Sequence, residues 1–254
     1  MATVPTTMKA ALLLGTGGLE KLEVRGDVAV PTPDVGEVLI HVRACGMNNT
    51  DVNTRTGWYS KSVTEGTTSE GGETGFSQSG DDDGGWGGSG LTFPRIQGAD
   101  VAGTIVAVGE GVDEIRIGER IMIDPWIRDA LDPLDFPKAR YFGSELDGGF
   151  AEYTKAPASN VFEVQSELSH VEIASFACSY QTAENMLARS RLGDGETIVI
   201  SGASGGVGSA LIQLAKRRGA YVIAIAGKSK LDDVAAVGAN TVIDRNTTDL
   251  MTAI

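Results

Sequence analysis

A chain of 254 residues with 41% hydrophobic content has enough apolar material for more than one packed domain. A formal net charge of −13 argues against a nucleic-acid or anionic-membrane surface, and no apolar run approaches the ~18 residues of a membrane span. Two cysteines cannot build a disulfide framework, which suits a reducing cytoplasm.

In chain order, the first apolar patch, residues 10–14, stops at Gly15 and is too short for a secretory core. Short alternating runs such as residues 38–42 and 104–108, punctuated by Gly, Pro and Asp, predict an all-β region to about residue 158, a small barrel. Residues 61–90 differ in kind, with ten glycines, six acids and one base, and almost nothing apolar except Val63, Phe76 and Trp86. Such a stretch buries too little surface to offset its ordering entropy, so a mobile surface insertion is expected over 60–93. The functional alternative is a lid, or an acidic metal-holding loop around Asp81-Asp82-Asp83 where Trp86 docks. Residues 160–167 lead into a second domain, 159–254, in which 170–178 and 181–192 read as two short helices.

The densest signal follows. Thr197–Ile200 is a β-branched run suited to a strand covered on both faces. A glycine-rich turn comes next, and then Val207, Ala210, Leu211, Leu214 and Ala215 recur at helical spacing. Strand, turn and helix in that order make a dinucleotide pyrophosphate site. Ala203, Gly205 and Gly208 occupy the three places of its A-x-G-x-x-G form. Gly205 would let the backbone approach the phosphates, Gly208 would let helix and strand pack closely, and Ser204, Gly206 and Val207 complete the cradle at the helix N-terminus. A strand at Tyr221–Ala226, a helix over 229–237 and a strand at Thr241–Asp244 continue the pattern, and 247–254 begin what reads as another helix.

Several motifs also agree in order. Pro31-Thr-Pro33, Gly36-Glu-Val38, Ala44-Cys-Gly-Met-Asn-Asn-Thr-Asp51, Gln97-Gly-Ala-Asp-Val-Ala-Gly103, Val106-Ala-Val-Gly109, Gly148-Gly-Phe-Ala-Glu-Tyr153 and Ser201-Gly-Ala-Ser-Gly-Gly-Val-Gly208 resemble the medium-chain dehydrogenase/reductase superfamily, its quinone oxidoreductase branch in particular. The resemblance covers nearly all of the chain outside about thirty residues after Tyr59. It implies a GroES-like β-barrel followed by a Rossmann domain, Thr182 as a further cofactor contact, and a homodimer at full length. A doubly wound domain has about six strands, and only three are legible. The resemblance also implies a C-terminal segment returning to the first domain. A truncated copy is therefore expected, aggregation-prone in its second domain and inactive alone.

In zinc enzymes of the superfamily the first cysteine ligand falls at Asn48, and a histidine-glutamate pair falls at Ala99 and Asp100. Only Cys178 stands at a ligand place, and no four-cysteine lobe lies between Asp113 and Phe150. One thiolate cannot hold the metal. No zinc is expected. His41 and His170 read as surface or core-edge histidines, and Cys45 and Cys178 as small buried apolar residues.

Without a metal, hydrogen-bond donors must stabilise the charge that hydride transfer creates. An enolate asks less of them than an alkoxide. Asn48 sits where zinc-free quinone reductases also carry asparagine. Tyr59 resembles the proton-donating tyrosine of enoyl-thioester reductases in this superfamily, or else packs beside its glycine turn. Asp51 orients neighbouring groups or makes an Asx turn.

For the cofactor, the second strand ends in Gly227-Lys-Ser-Lys230, with none of the acids that hold the ribose of NAD. Lys228, Ser229 and Lys230 would accept a 2′-phosphate, or the lysines face solvent with Ser229 as a helix N-cap. The expectation is a cytoplasmic, NADPH-dependent reductase of quinones, enones or similar small molecules, with NADH the lesser cofactor. The alternatives are a zinc-type alcohol or aldehyde dehydrogenase and a non-catalytic nucleotide-binding protein.

Overall fold

A computed structural model describes residues 3–79, 84–85, 90–128 and 139–246. Asp81, Asp82, Asp83 and Trp86, on which the alternative of a lid or acidic metal-holding loop rests, and the helix expected over 247–254 lie outside the described residues. The chain divides into two compact units, Met1–Ala177 and Cys178–Ile254.

The first unit runs β1 (Thr7–Leu13), β2 (Leu22–Ala29), β3 (Glu37–Gly46), α1 (Asn49–Thr56), α2 (Ser69–Thr74), β4 (Arg95–Ile96) and β5 (Asp100–Val108). It continues with β6 (Arg120–Ile123), β7 (Trp126–Ile127), β8 (Arg140–Tyr141), β9 (Tyr153–Pro157), β10 (Val161–Glu163) and α3 (His170–Ile173). Its main sheet has the order β10-β6-β5-β3-β9, all antiparallel. A second sheet, β2-β1-β4, is joined to the segment before β9 by the Ala10↔Ala151 bridge. Alternation in the strands decides which face is inside. Val38 and Ile40 of β3, Val101 and Ile105 of β5, and Ile121 and Ile123 of β6 all turn into one buried cluster. This is the GroES-like β-barrel.

The sequence expectation of an all-β region missed α1 and α2, and the reason is visible. Helix α1, Asn-Thr-Asp-Val-Asn-Thr-Arg-Thr, has one aliphatic residue and no apolar stripe, so it has no periodicity to detect. Its ends hold it instead: Asp51 accepts from the Asn48 N–H at the start, and Gly57 closes it in the left-handed conformation at φ 74°.

The described part of the insertion is also more built than its composition suggested. Thr68 caps α2 by accepting from the Gly71 N–H. The Phe76 N–H donates to Thr56 O, Trp58 Nε1 donates to Glu65 O, and Ser62 Oγ donates to Gln78 O. Polar contacts to α1 and to Trp58 just after it, rather than apolar burial, hold residues 61–79.

The second unit holds α4 (Ala177–Ser190, its first residue belonging to the first unit), β11 (Thr197–Ile200), α5 (Gly206–Arg217), β12 (Tyr221–Ala226), α6 (Leu231–Val237) and β13 (Thr241–Asp244). The strands pair in parallel in the order β11-β12-β13, each crossover being a helix. Val222, Ala224 and Ala226 of β12 pack with Ile212 and Ala215 of α5 and Val234 of α6. This is the first half of a Rossmann domain. The division after Ala177 differs from the 158/159 boundary read in the sequence, because β10 pairs with β6 and Ile173 and Ala174 pack on Ala102 of β5. The two helices expected over 170–178 and 181–192 are α3 and α4, the second starting four residues earlier than read.

Candidate functional site

In the second unit, β11 ends into the turn 201–205, and the Ala203 N–H donates to Ile225 O across to β12, at 3.1 Å. Ala203 is fully buried, while Ser204, Gly205 and Gly206 are exposed and Val207 is half-buried. Gly205 is the N-cap of α5 in extended conformation. The first amides of α5 have no carbonyl within the helix to bond, and with the helix dipole they make an anion cradle.

The two fingerprint glycines do separate jobs. A Cβ on Gly205 would meet only Gly202 O, at 3.4 Å, so its lack of a side chain leaves the cradle open rather than relieving a clash. A Cβ on Gly208 would strike the Gly202 carbonyl oxygen and lie 2.7 Å from Ala203 Cα, so Gly208 lets the helix lie against the turn. Thr182 is exposed on α4 and its Oγ1 donates to Cys178 O at 2.7 Å, which commits its proton to its own helix.

Lys228, Ser229 and Lys230 form an exposed 3-10 turn directly after β12. Helix α6 begins only at Leu231 with Lys230 in the N-cap place, so Ser229 is not the cap that the sequence offered as an alternative. Lys230 Nζ makes a 3.4 Å ion pair with Asp233, both side chains more than half exposed, and such a pair contributes little. The sequence reading missed Arg245. Its Nε lies 3.7 Å from where a Cβ on Gly227 would be, so the guanidinium stands beside the Lys228–Lys230 turn. The available signal was the parallel register, which sets Asp244, the last residue of β13, against Ala226, the last of β12.

In the first unit, Asn48, Asp51 and Asp100 come together. Asn48 Nδ2 donates to Asp100 Oδ2 at 3.2 Å, and the Asn48 N–H donates to Asp51 Oδ2 at 2.8 Å. The other Asp51 oxygen accepts from the Gly98 N–H at 3.1 Å, at a glycine with φ 100°. The Asp51 carboxylate thus joins the start of α1 to the loop before β5, an orienting role and not an Asx turn. Asn48 is half-buried, and one of its two amide protons is spoken for by Asp100, leaving the second to meet an acceptor. Tyr59 is half-buried and stands edge-on to Trp58 at 5.6 Å. Burial pushes the Cys45 thiol well above its ordinary range, and Asp51 and Asp100 push the same way, as expected of an inert packing residue. His41 stacks on Tyr153 at 4.8 Å, and burial lowers its pKa.

The alcohol dehydrogenase GroES-like domain family matches residues 34–166, more than half of the chain. The chain belongs to the medium-chain dehydrogenase/reductase superfamily. Human quinone oxidoreductase is 30% identical to it over 228 residues, 89% of this chain and 55% of the relative. An NAD-dependent alcohol dehydrogenase of Sulfolobus acidocaldarius is 29% identical, over 86% of this chain and 58% of the relative. Among solved structures, a candidate alcohol dehydrogenase from Sinorhizobium meliloti superposes with a TM-score of 0.82 at 48% identity, covering 98% of this chain and 65% of its own. The chain therefore spans little more than half the length of the curated relatives it matches.

For a medium-chain enzyme the donor set decides whether zinc fits. Ala99 has no ligand atom and is 1% exposed, and the Asn48 amide is held by Asp100. Among the described residues no group of three or more His, Cys, Asp or Glu side chains is placed to hold a metal ion. These residues do not fit a zinc centre.

Burial raises the Asp51 pKa to about 6, against the hydrogen bonds from Asn48 and Gly98 that favour the anion. The folded state therefore takes up this proton before the unfolded state does. Its contribution to stability is greatest at low pH, falls as pH rises from about 4 through 6, and above that is lower by about 3 kcal/mol. Carboxyl 13C titration should find one aspartate near 6 that disappears in Asp51→Asn. The urea midpoint of the parent should also fall more steeply than the variant's between pH 4 and 6. Parallel profiles would contradict this assignment.

Proposed function

We propose that the chain belongs to an NADPH-dependent reductase that transfers hydride to a quinone, an enone or a similarly activated double bond without catalytic zinc. The observation that carries the reading is the Asn48–Asp100 hydrogen bond, which puts an oriented amide where a zinc-type enzyme needs a thiolate and an imidazole. When bound, a dihydronicotinamide supplies the hydride. The chain's own residues then have separate tasks. The free Asn48 amide proton steadies the oxygen on which enolate charge develops, Asp100 fixes the face of that amide, and Asp51 holds the Asn48 backbone. Tyr59 supplies the proton that completes the reduction. Gly205, Gly206, Val207 and Gly208 receive the pyrophosphate with Ala203 and Ser204 shaping the turn, and Thr182 lends an acceptor oxygen. Lys228, Ser229, Lys230 and Arg245 receive the 2′-phosphate. The same reading makes the enzyme a cytoplasmic homodimer. No described helix is long and apolar enough to cross a membrane.

Calorimetric titration should show NADPH binding roughly ten- to a hundredfold tighter than NADH, the range a few charge-assisted phosphate contacts supply. Lys228→Ala and Arg245→Ala should each remove much of that margin while leaving NADH affinity alone. Equal affinity for the two cofactors would overturn the phosphate assignment. The second reading, an alcohol dehydrogenase, is favoured by the Sulfolobus and Sinorhizobium relatives. Elemental analysis separates the two: one tightly held zinc per chain, with turnover of a primary alcohol lost on chelation, would replace the zinc-free reading.

A further inference from the structure

We infer that Ser179, on α4, is a further ligand-contacting residue of the dinucleotide cradle, donating its hydroxyl to a phosphoryl oxygen of the pyrophosphate. The inference rests on the cradle reading above and adds a residue outside the glycine turn.

Ser179 is a polar side chain buried to 9% exposure in the first turn of α4. Two neighbouring hydroxyls are returned to backbone carbonyls: Ser175 Oγ donates to Glu172 O at 2.6 Å and Thr182 Oγ1 to Cys178 O at 2.7 Å. Ser179 does otherwise. Its Oγ lies 2.7 Å from where a Cβ on Gly206 would sit, with its own Cβ behind at 3.7 Å. No hydrogen bond joins the hydroxyl to another described residue. Gly206 is the first residue of α5, a helix of 12 residues. The hydroxyl thus stands beside the first residue of α5, on the side where a side chain there would project, with no acceptor among the described residues.

The Ser179 oxygen is not among the fully buried side-chain atoms that lack a partner, so it opens toward the space in front of the α5 N-terminus, where an arriving phosphoryl oxygen is an acceptor of the right charge in the right place. Packing accounts for the position of Ser179 but not for its hydroxyl, since an alanine would fill the same place on α4. The same contact explains why the second glycine of the Gly205-Gly206 pair is needed even though it stands outside the A-x-G-x-x-G places.

The test compares three probes on the whole chain: NADPH, ADP-ribose, which keeps the pyrophosphate, and adenosine 2′-monophosphate, which has no phosphate on the 5′ side. Ser179→Ala should weaken NADPH and ADP-ribose by about five- to tenfold and leave adenosine 2′-monophosphate unchanged. Ser179→Cys, nearly isosteric with a poorer donor, should fall between, which guards against a folding defect in the alanine variant. The 31P resonances of bound ADP-ribose should shift in both variants. An equal loss for all three probes would mean that Ser179 only packs, and an unchanged affinity would also overturn the inference while leaving the cradle reading intact. A parent chain that binds neither NADPH nor ADP-ribose would overturn the cradle reading, and this inference with it.

Discussion

Gly208→Ala is expected to destabilise the second unit by about 3 kcal/mol and to abolish dinucleotide binding, whereas Gly205→Ala is expected to abolish binding at nearly full stability. The added methyl at 208 meets backbone, the Gly202 carbonyl and Ala203 Cα at 2.7 Å, so no side-chain rotation relieves it. Either α5 or the turn must move, and overpacking of that kind costs about 1–3 kcal/mol or more. Ala203 is itself bonded to β12 through Ile225 O, so the displacement propagates into the sheet. At 205 the methyl has space, with Gly202 O at 3.4 Å, and the backbone is extended with φ −82°, which alanine accepts. There it covers the cradle instead. Thermal unfolding monitored by circular dichroism, together with NADPH titration of both variants, separates the two effects. If Gly205→Ala proved the more destabilising, the division of labour between the glycines would be wrong.

Arg55→Ala is expected to release the insertion and destabilise the first unit by roughly 3–6 kcal/mol, the sum of two hydrogen bonds from a charged donor at about 1.5–3 each. Arg55 is 5% exposed, on the last turn of α1. Its Nη1 donates to Gly17 O at 2.7 Å and its Nη2 to Gly72 O at 2.6 Å, so one guanidinium ties together α1, the loop after β1, and α2. Burial lowers its pKa, and Glu20 acts in the opposite direction. Removing the side chain leaves two carbonyls unpaired and a cavity where the fork stood. Arg55→Lys keeps the charge but cannot reach both carbonyls in one plane, so it should recover only part of the loss. Limited proteolysis between residues 60 and 93 should accelerate in the order parent, Lys, Ala. Equal cleavage rates would show that the insertion is held by something other than this residue.

The two units differ in how far their sequences predicted them. Thr197–Ile200, the glycine turn and α5 were legible because every signal there is local: β-branched residues, three spaced small residues and an apolar helical face within about twenty positions. Helix α1 was not, because its stability comes from its caps and from a buried arginine whose partners are far along the chain. The insertion was misread from composition for a related reason. Its described part is ordered by hydrogen bonds to other segments, and a hydropathy count does not register those.

The candidate site shows the same division residue by residue. Sequence by itself determined which chemical groups are available: an amide at 48, an alanine at 99, acids at 51 and 100, an anion cradle at 203–208 and bases at 228 and 230. Only the tertiary structure decided what those groups do. Asp100 is fifty-two positions from Asn48, yet it commits one of the Asn48 amide protons and aims the other. Asp51 proved to hold a loop forty-seven positions away, and burial there raises its pKa. Arg245 reaches the Lys228 turn only because parallel strands end side by side, and Ser179 meets Gly206 only because α4 packs at the start of α5. Residue identity sets the donors and acceptors, but hydrogen bonds and desolvation act over a few ångströms of space. A chain that brings distant positions that close must fold before its chemistry is defined.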